Sequence, residues 1–390
     1  MTNKVRELGV SSIEEMFDLA TYAFNGADTP ERRERFRTLA ENSWNYGFFD
    51  EEDRLTSQVM ATPFPVNFYG QEYLMAGIGY VASYPENRGQ GDINRLMKEI
   101  MLELHDQNYA ISNLAPFSET FYRRYGYENA IYEKMYQIQP AYLRFFKAVQ
   151  EGKVVRGRWS DSSLKNAVIK LYQAKLNQDD QRNTVVRAEW WWDRLDTYYP
   201  GRSICVYFDK KQQPQGYMFY RIVERNFRVE EMYYQTPQAA KALLSIIASH
   251  SSSDLKYYVK MPEESLLEEF FPEQEGITVK ILPYMMTRII NIKQVLEASP
   301  LVNNKKLTIE VTNDDIIAEN NGVWLIDNAN EPRVREVETD PDYTASLTNW
   351  TKVLLGHLTL KQAVQLGFVK ENHPVNTDFV KGDVSFYDYF

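Results

Sequence analysis

Between Tyr80 and Leu104 the sequence passes from an apolar strand, through a loop with two glycines, into a long amphipathic helix. No other stretch narrows the fold as far. The strand ends Tyr80-Val-Ala-Ser83 and the loop reads Tyr84-Pro-Glu-Asn-Arg88-Gly-Gln-Gly91. Ile93, Leu96, Met97, Ile100, Met101 and Leu104 then recur on one helical face. Glycines between a strand and a helix N-terminus leave backbone N–H groups open where the helix dipole is positive, an anion site suited to phosphate. A P-loop would need Gly-Lys-Ser/Thr, and a dinucleotide fold would need G-x-G-x-x-G early in a βαβ unit. The sequence has neither.

Composition limits what the phosphate belongs to. The net charge is −10, from 54 acidic and 44 basic residues, which argues against a nucleic-acid partner. It favours a cationic substrate through the long-range field, and serves solubility equally well. The one cysteine, Cys205, excludes an internal disulfide and fits a reducing cytosol; its apolar neighbours Ile204 and Val206 mark it as core packing. The four histidines have no ligand spacing, so no metal is expected. Met1–Leu8 lacks the apolar core of a secretion signal, and no run approaches the roughly 20 apolar residues of a membrane span. A cytoplasmic protein follows as the expectation. At 390 residues, with 44% hydrophobic residues, it should hold two or three packed domains.

In chain order, residues 11–24 predict a helix with a capping-box start and 31–42 a second helix, which brings Phe24 and Phe36 near each other across a turn. Strands are expected at 55–62, 66–69 and 72–83, the first two separated by Pro63 and Pro65, and at 109–114. The three indoles of Trp190-Trp-Trp192 cannot share one side of a helix, so at least one must meet another element. Beyond them the plan recurs: strands at 203–209, 216–222 and 229–235, Thr236-Pro237 opening a helix at 238–249, and a strand at 255–260. This second loop has neither glycine nor arginine, so it should bind no coenzyme. A β-rich bridge at 285–292 leads to strands at 306–311 and 322–327 and helices at 345–355 and 359–366.

The run Pro85, Arg88-x-x-Gly91, Ile93 and Leu96-Met97 resembles the pyrophosphate loop of GNAT acetyltransferases, which hold acetyl-CoA there. Ile93 stands where the broad family has a small residue. Phe121-Tyr122-Arg-Arg-Tyr-Gly-Tyr127 narrows the resemblance to the group around the enhanced intracellular survival (Eis) protein. Met285-Met-Thr-Arg-Ile289 and Leu354-Leu-Gly356 are similar to the sterol-carrier-like C-terminal domain of that group. The resemblance implies an α/β (α+β) fold in three parts: a GNAT domain over 1–140 that binds acetyl-CoA, a degenerate GNAT-like domain over 141–285, and a sterol-carrier-like domain over 286–390. It implies acetyl transfer to a primary amine, on a cationic small molecule of aminoglycoside or polyamine type or on a protein lysine, by a homo-oligomer, a hexamer in the family. The alternative is a non-catalytic protein that binds an acyl-CoA or lipid through its sterol-carrier-like domain; intact Arg88, Gly91 and Tyr122 favour the enzyme.

The same resemblance assigns residues. Backbone groups of Val81, Ala82 and Ser83 would meet the pantetheine amides. Arg88 and the N–H groups of Gly89, Gln90, Gly91, Asp92, Ile93 and Asn94 would hold the pyrophosphate. Phe24 and Phe36 would line the amine pocket. Tyr122, four residues before Gly126, takes the place of the general acid. The base would be the terminal carboxylate of Phe390, carried back into the first domain by the aromatic tail Phe386–Phe390, where burial would raise its low solution pKa. Asp388 is a rival carboxylate, and Asp28, Glu119 or a bound water would follow.

Overall fold

The apolar stripe after the loop folds as expected, with Leu96, Met97, Ile100, Met101 and Leu104 buried under the helix Asp92–Asp106. The computed structural model describes residues 5–304 and 306–390. Met1–Lys4, half of the stretch weighed against a secretion signal, lie outside the described residues. The chain first forms β1 (Arg6–Glu7), α1 (Ile13–Ala23), α2 (Pro30–Glu41), β2 (Trp44–Phe49), β3 (Leu55–Phe68), β4 (Gln71–Ser83), α3 (Asp92–Asp106), β5 (Ile111–Leu114), α4 (Glu119–Arg123) and β6 (Glu128–Ile138). It continues with β7 (Lys153–Gly157), α5 (Ser162–Leu176), β8 (Arg182–Val185), α6 (Glu189–Tyr198), β9 (Ser203–Phe208), β10 (Pro214–Val223), β11 (Asn226–Tyr234), α7 (Pro237–Ala248), β12 (Lys256–Pro262) and β13 (Ile277–Ile289). The last part holds α8 (Ile292–Ala298), β14 (Lys306–Thr312), β15 (Gly322–Asp327), β16 (Val334–Glu336), β17 (Tyr343–Ser346), α9 (Leu347–Leu354), α10 (Leu360–Gln365) and β18 (Lys370–Glu371).

Two βαβ crossovers carry the repeat. β4 and β5 are parallel and joined through α3; β11 and β12 are parallel and joined through α7. Among the described residues both halves share one sheet of 13 strands, in the order β1-β2-β3-β4-β5-β13-β6-β12-β11-β10-β9-β7, with β8 paired to β3. The stretch at 285–289, expected to bridge, instead fills the first half of this sheet. Met286–Ile289 pairs with β5, and the length of β13 pairs with β6. Its Met285, Met286 and Ile289 are wholly buried, which ties the distant segment into the first core. A separate five-stranded sheet, β16-β15-β14-β17-β18, forms the last part.

Two local expectations are corrected. Pro63 and Pro65 do not break the strand: β3 runs unbroken from Leu55 to Phe68 against β4. Its outer edge is paired by β2 up to Ala61 and by β8 from Val66, and the prolines fall between, where a missing N–H leaves no ladder bond unmade. Ser12 precedes α1 but makes no side-chain cap bond, so the capping box is not formed. Instead it is α2 that is capped, by Thr29, with Pro30 as its first residue. The indoles divide as their adjacency requires. Trp190 and Trp191 meet Phe64 of the first half, while Trp192 packs on Trp159 and Tyr172 in the second. Cys205 is buried and free, and burial pushes its thiol up to about 12.

Candidate active site

The glycine loop is open. Gly89 and Gly91 have φ of +82° and +87°, and a Cβ at either would meet nothing within 4 Å. Gly91 is the N-cap of α3 and has no side chain to occupy the first N–H groups of the helix. Arg88 is exposed beside them. Asp92 contributes its backbone only: its carboxyl is buried next to the Ser57 hydroxyl, and burial pushes it above the usual carboxylate range. Gly91→Val places a β-branched residue at positive φ, a local strain of roughly 1–2 kcal/mol, with no clash to spread it. The variant should fold and lose measurable acetyl-CoA binding by calorimetry. Unchanged affinity in the folded variant would remove the loop from the site.

A bulge prepares the adjoining strand. The β3–β4 register shifts between Gln58 and Met60, and Tyr80 adopts φ of +50°. Such bulges re-aim side chains and end pairing. β4 pairs with β5 only over Met75–Ile78, so from Gly79 onward its backbone faces a gap whose far wall is Ala115, Pro116 and Phe117. Val81 faces this gap; Ala82 packs into the core behind it, and the Ser83 hydroxyl is bonded to that of Ser57.

Tyr122, on α4, stands at the same gap with a 3% exposed side chain. Its ring lies 5.2 Å from Phe117, 5.1 Å from Phe121 and 6.1 Å from Tyr127. Burial, with Tyr127 and Tyr125 alongside, pushes its phenol above the ordinary value. Tyr127, by contrast, shares a 2.6 Å hydrogen bond with Ser112.

The tail returns from the last part and ends here. Its path is held at Asp383, whose carbonyl accepts from the Arg182 amide, and at Ser385, whose amide gives to the Thr184 hydroxyl. Asp388 is fully buried, accepting from Arg187 Nε at 2.8 Å and from Trp191 Nε1 at 2.6 Å. Glu231 braces the far side of Arg187 at 3.0 Å. Asp388 thus fixes the tail and does not line the gap. Phe390 follows, its ring 5.5 Å from Phe64 and over Gly77, its carboxyl over Gly79. A methyl on Gly77 would come within 2.8 Å of the ring, and one on Gly79 within 3.0 Å of the carboxyl carbon. Alternate glycines in a strand mark such close approach. Gly77-x-Gly79 was the available sequence signal for this seat.

Together these walls enclose about 650 Å³. Phe24 lines the cavity, 52% exposed and edge-on to Tyr80 at 5.8 Å. Phe36 does not; it is 1% exposed and lies behind, 4.9 Å from Tyr80 and 5.4 Å from Phe17, so it supports the wall from the core. The second half supplies residues that no sequence signal placed here: Arg194, Tyr198 and Tyr199 from α6 and the loop after it, and Arg221 from β10.

Models of the acetyltransferase (GNAT) domain match residues 4–130 and 184–289, and a sterol carrier protein domain model matches 292–380. A conserved protein of Enterococcus faecalis V583, described as a probable N-acyltransferase, is 34% identical over 100% of both chains, with a TM-score of 0.88. The chain belongs to the GNAT acetyltransferases. Its whole arrangement, two GNAT domains and a sterol-carrier domain, is Eis-like. A GCN5-related N-acetyltransferase from Anabaena variabilis shares the fold at 21% identity over 95% of this chain and 94% of its own (TM-score 0.81). Eis1 from Mycobacterium abscessus does so at 18% identity over 96% and 94% (TM-score 0.79). No curated protein matches.

An acetyl-transferring enzyme of this family uses acetyl-CoA as co-substrate, and the two GNAT domains differ in their fitness to take it. In the second, Thr236 caps α7 by accepting from the Ala239 N–H at 3.2 Å, and Pro237 has no N–H to offer. The donors left free at Gly91 are spent there on the protein itself. Among the described residues no group of three or more His, Cys, Asp or Glu side chains could hold a metal, and no helix is long and apolar enough to cross a membrane.

Proposed function

We propose that this enzyme acetylates a primary amine in the cavity between its two GNAT domains. The supporting observation is that Tyr122 and the end of the chain, Phe390, line one cavity beside the splayed backbone of β4. Acetyl-CoA, held through the open loop at 88–94, supplies an activated acyl carbon and a thiolate leaving group. Unpaired backbone N–H groups of β4 past Ile78 hold the thioester carbonyl. The Phe390 carboxylate takes a proton from the amine, directly or across one water, as the nitrogen bonds to the acyl carbon. The Tyr122 hydroxyl gives its proton to sulfur as the carbon–sulfur bond breaks. A proton then passes from Phe390 to Tyr122 through solvent, and both groups are restored. The sterol-carrier domain serves this site through the tail it sends.

The test is release of coenzyme thiol from acetyl-CoA by the purified protein across a panel of primary amines and a lysine peptide, with the product weighed by mass spectrometry. One N-acetyl product per thiol is expected. Tight acetyl-CoA binding with no product from any amine would reject transfer in favour of a binding protein.

A further inference from the structure

The acceptor side of the cavity is built from guanidinium groups. Arg32 and Arg35 come from α2, Arg194 from α6 and Arg221 from β10. Arg221 is neutralised by Glu230 at 2.7 Å. Among the described residues, Arg32, Arg35 and Arg194 form no ion pair. Arg32 gives to the Thr21 hydroxyl at 2.6 Å and the Ala27 carbonyl at 3.2 Å, and Arg35 to the Thr197 carbonyl at 3.4 Å. Arg194 is 4% exposed, gives Nη1 to the Tyr389 carbonyl at 3.3 Å, and keeps a buried Nε with no hydrogen-bond partner. Among the described residues no Asp or Glu side chain lines the cavity; the acidic group proposed there is the Phe390 carboxylate.

A guanidinium stays charged at any working pH, and a buried donor left unfilled is unfavourable until an acceptor reaches it. A polycation entering this wall would meet three unneutralised like charges. An anionic oxygen group would meet paired N–H forks, the strongest class of hydrogen bond in proteins. Resting on the acetyl-transfer reading above, we infer that the acceptor is a primary amine that also carries an anionic oxygen group, a carboxylate or phosphate, held by Arg35 and Arg194. The aromatic walls, Phe24, Tyr198 and Tyr199 among them, then hold its apolar body. The neighbouring groove has the opposite character: Glu31, Glu34, Asp193 and Asp196 line it, beside the shared Arg35 and Arg194. It is the place where a polycation would lodge instead.

The test compares primary amines built on six-carbon chains: hexylamine, ε-aminocaproate and aminohexyl phosphate, with spermidine as the polycation. kcat/KM for one of the two anionic amines should exceed that for hexylamine by about 10–100-fold, the worth of charge-assisted hydrogen bonds, and the better of the two names the group. In Arg35→Gln that ratio should fall towards one, with Arg194→Lys as a second variant that keeps charge and loses the fork. Preference for hexylamine or spermidine, or a ratio unmoved in both variants, overturns the inference and leaves acetyl transfer standing. Absence of turnover on every amine, with acetyl-CoA bound, overturns both.

Discussion

Tyr122→Phe is expected to lower kcat by about 10²–10⁴-fold, the usual contribution of a general acid, with acetyl-CoA affinity close to that of the parent. The substitution keeps the ring and its contacts with Phe117, Phe121 and Tyr127 and removes one oxygen. Among the described residues that oxygen makes no hydrogen bond, so the fold loses no partner and the melting temperature should hold. The neighbouring hydroxyl is a poor replacement, since Tyr127 is engaged with Ser112 away from the cavity. Because burial pushes the Tyr122 phenol upward, the acid stays protonated through the working range, and its loss should give no falling alkaline limb in kcat below about pH 10. Steady-state kinetics against pH on parent and variant measure both points. Parental turnover in Tyr122→Phe would mean that water or another group protonates the thiolate.

The local structure around the candidate site could be read before the fold was known, because its signals are local. The loop and α3 announce themselves by glycines and a 3.6-residue stripe within 25 residues. The second GNAT domain repeats the same period with its loop residues replaced, which is why its capped helix start at Thr236 could be anticipated. What stayed hidden depends on distance in sequence. Asp388 meets Arg187 across 201 positions, and no pattern near either residue marks the pair. Arg35 and Arg194 reach the cavity from different domains, so each looks like an ordinary helix cation when read alone. Phe24 and Phe36 carry equal aromatic signal and both meet Tyr80 edge-on, yet the packing of their two helices leaves one at the cavity and the other in the core. The prolines of β3 mislead for the same reason: a break is inferred from the missing N–H, and whether it matters depends on which edge the N–H would have faced.

Converting the terminal carboxylate of Phe390 to an amide should lower kcat at least about 10²-fold, with no loss of stability. The amide keeps the ring against Phe64 and Trp191 and the anchor of Asp388 on Arg187, and removes only the charge over Gly79. Peptide ligation of an amidated tail supplies the variant. Deleting Phe390 should cost at least as much by a different route. The carboxylate then retreats roughly 3.3–3.6 Å along the chain, beyond the distance that a catalytic hydrogen bond absorbs, and the aromatic seat over Gly77 is emptied. Gly79→Ala gives a third reading, since its methyl would crowd the carboxyl carbon at 3.0 Å and push the tail off the strand without altering its chemistry. The rival carboxylates are engaged elsewhere. Asp28 is paired with Arg33 at 2.7 Å, Glu119 with Arg123 at 2.8 Å, and Asp388 is sealed under Arg187. An amide as active as the parent would therefore leave a bound water as the proton acceptor and reduce Phe390 to a packing residue. A fall in kcat shared by the amide and Gly79→Ala, with both proteins melting like the parent, would tie the loss to the placement of one charge.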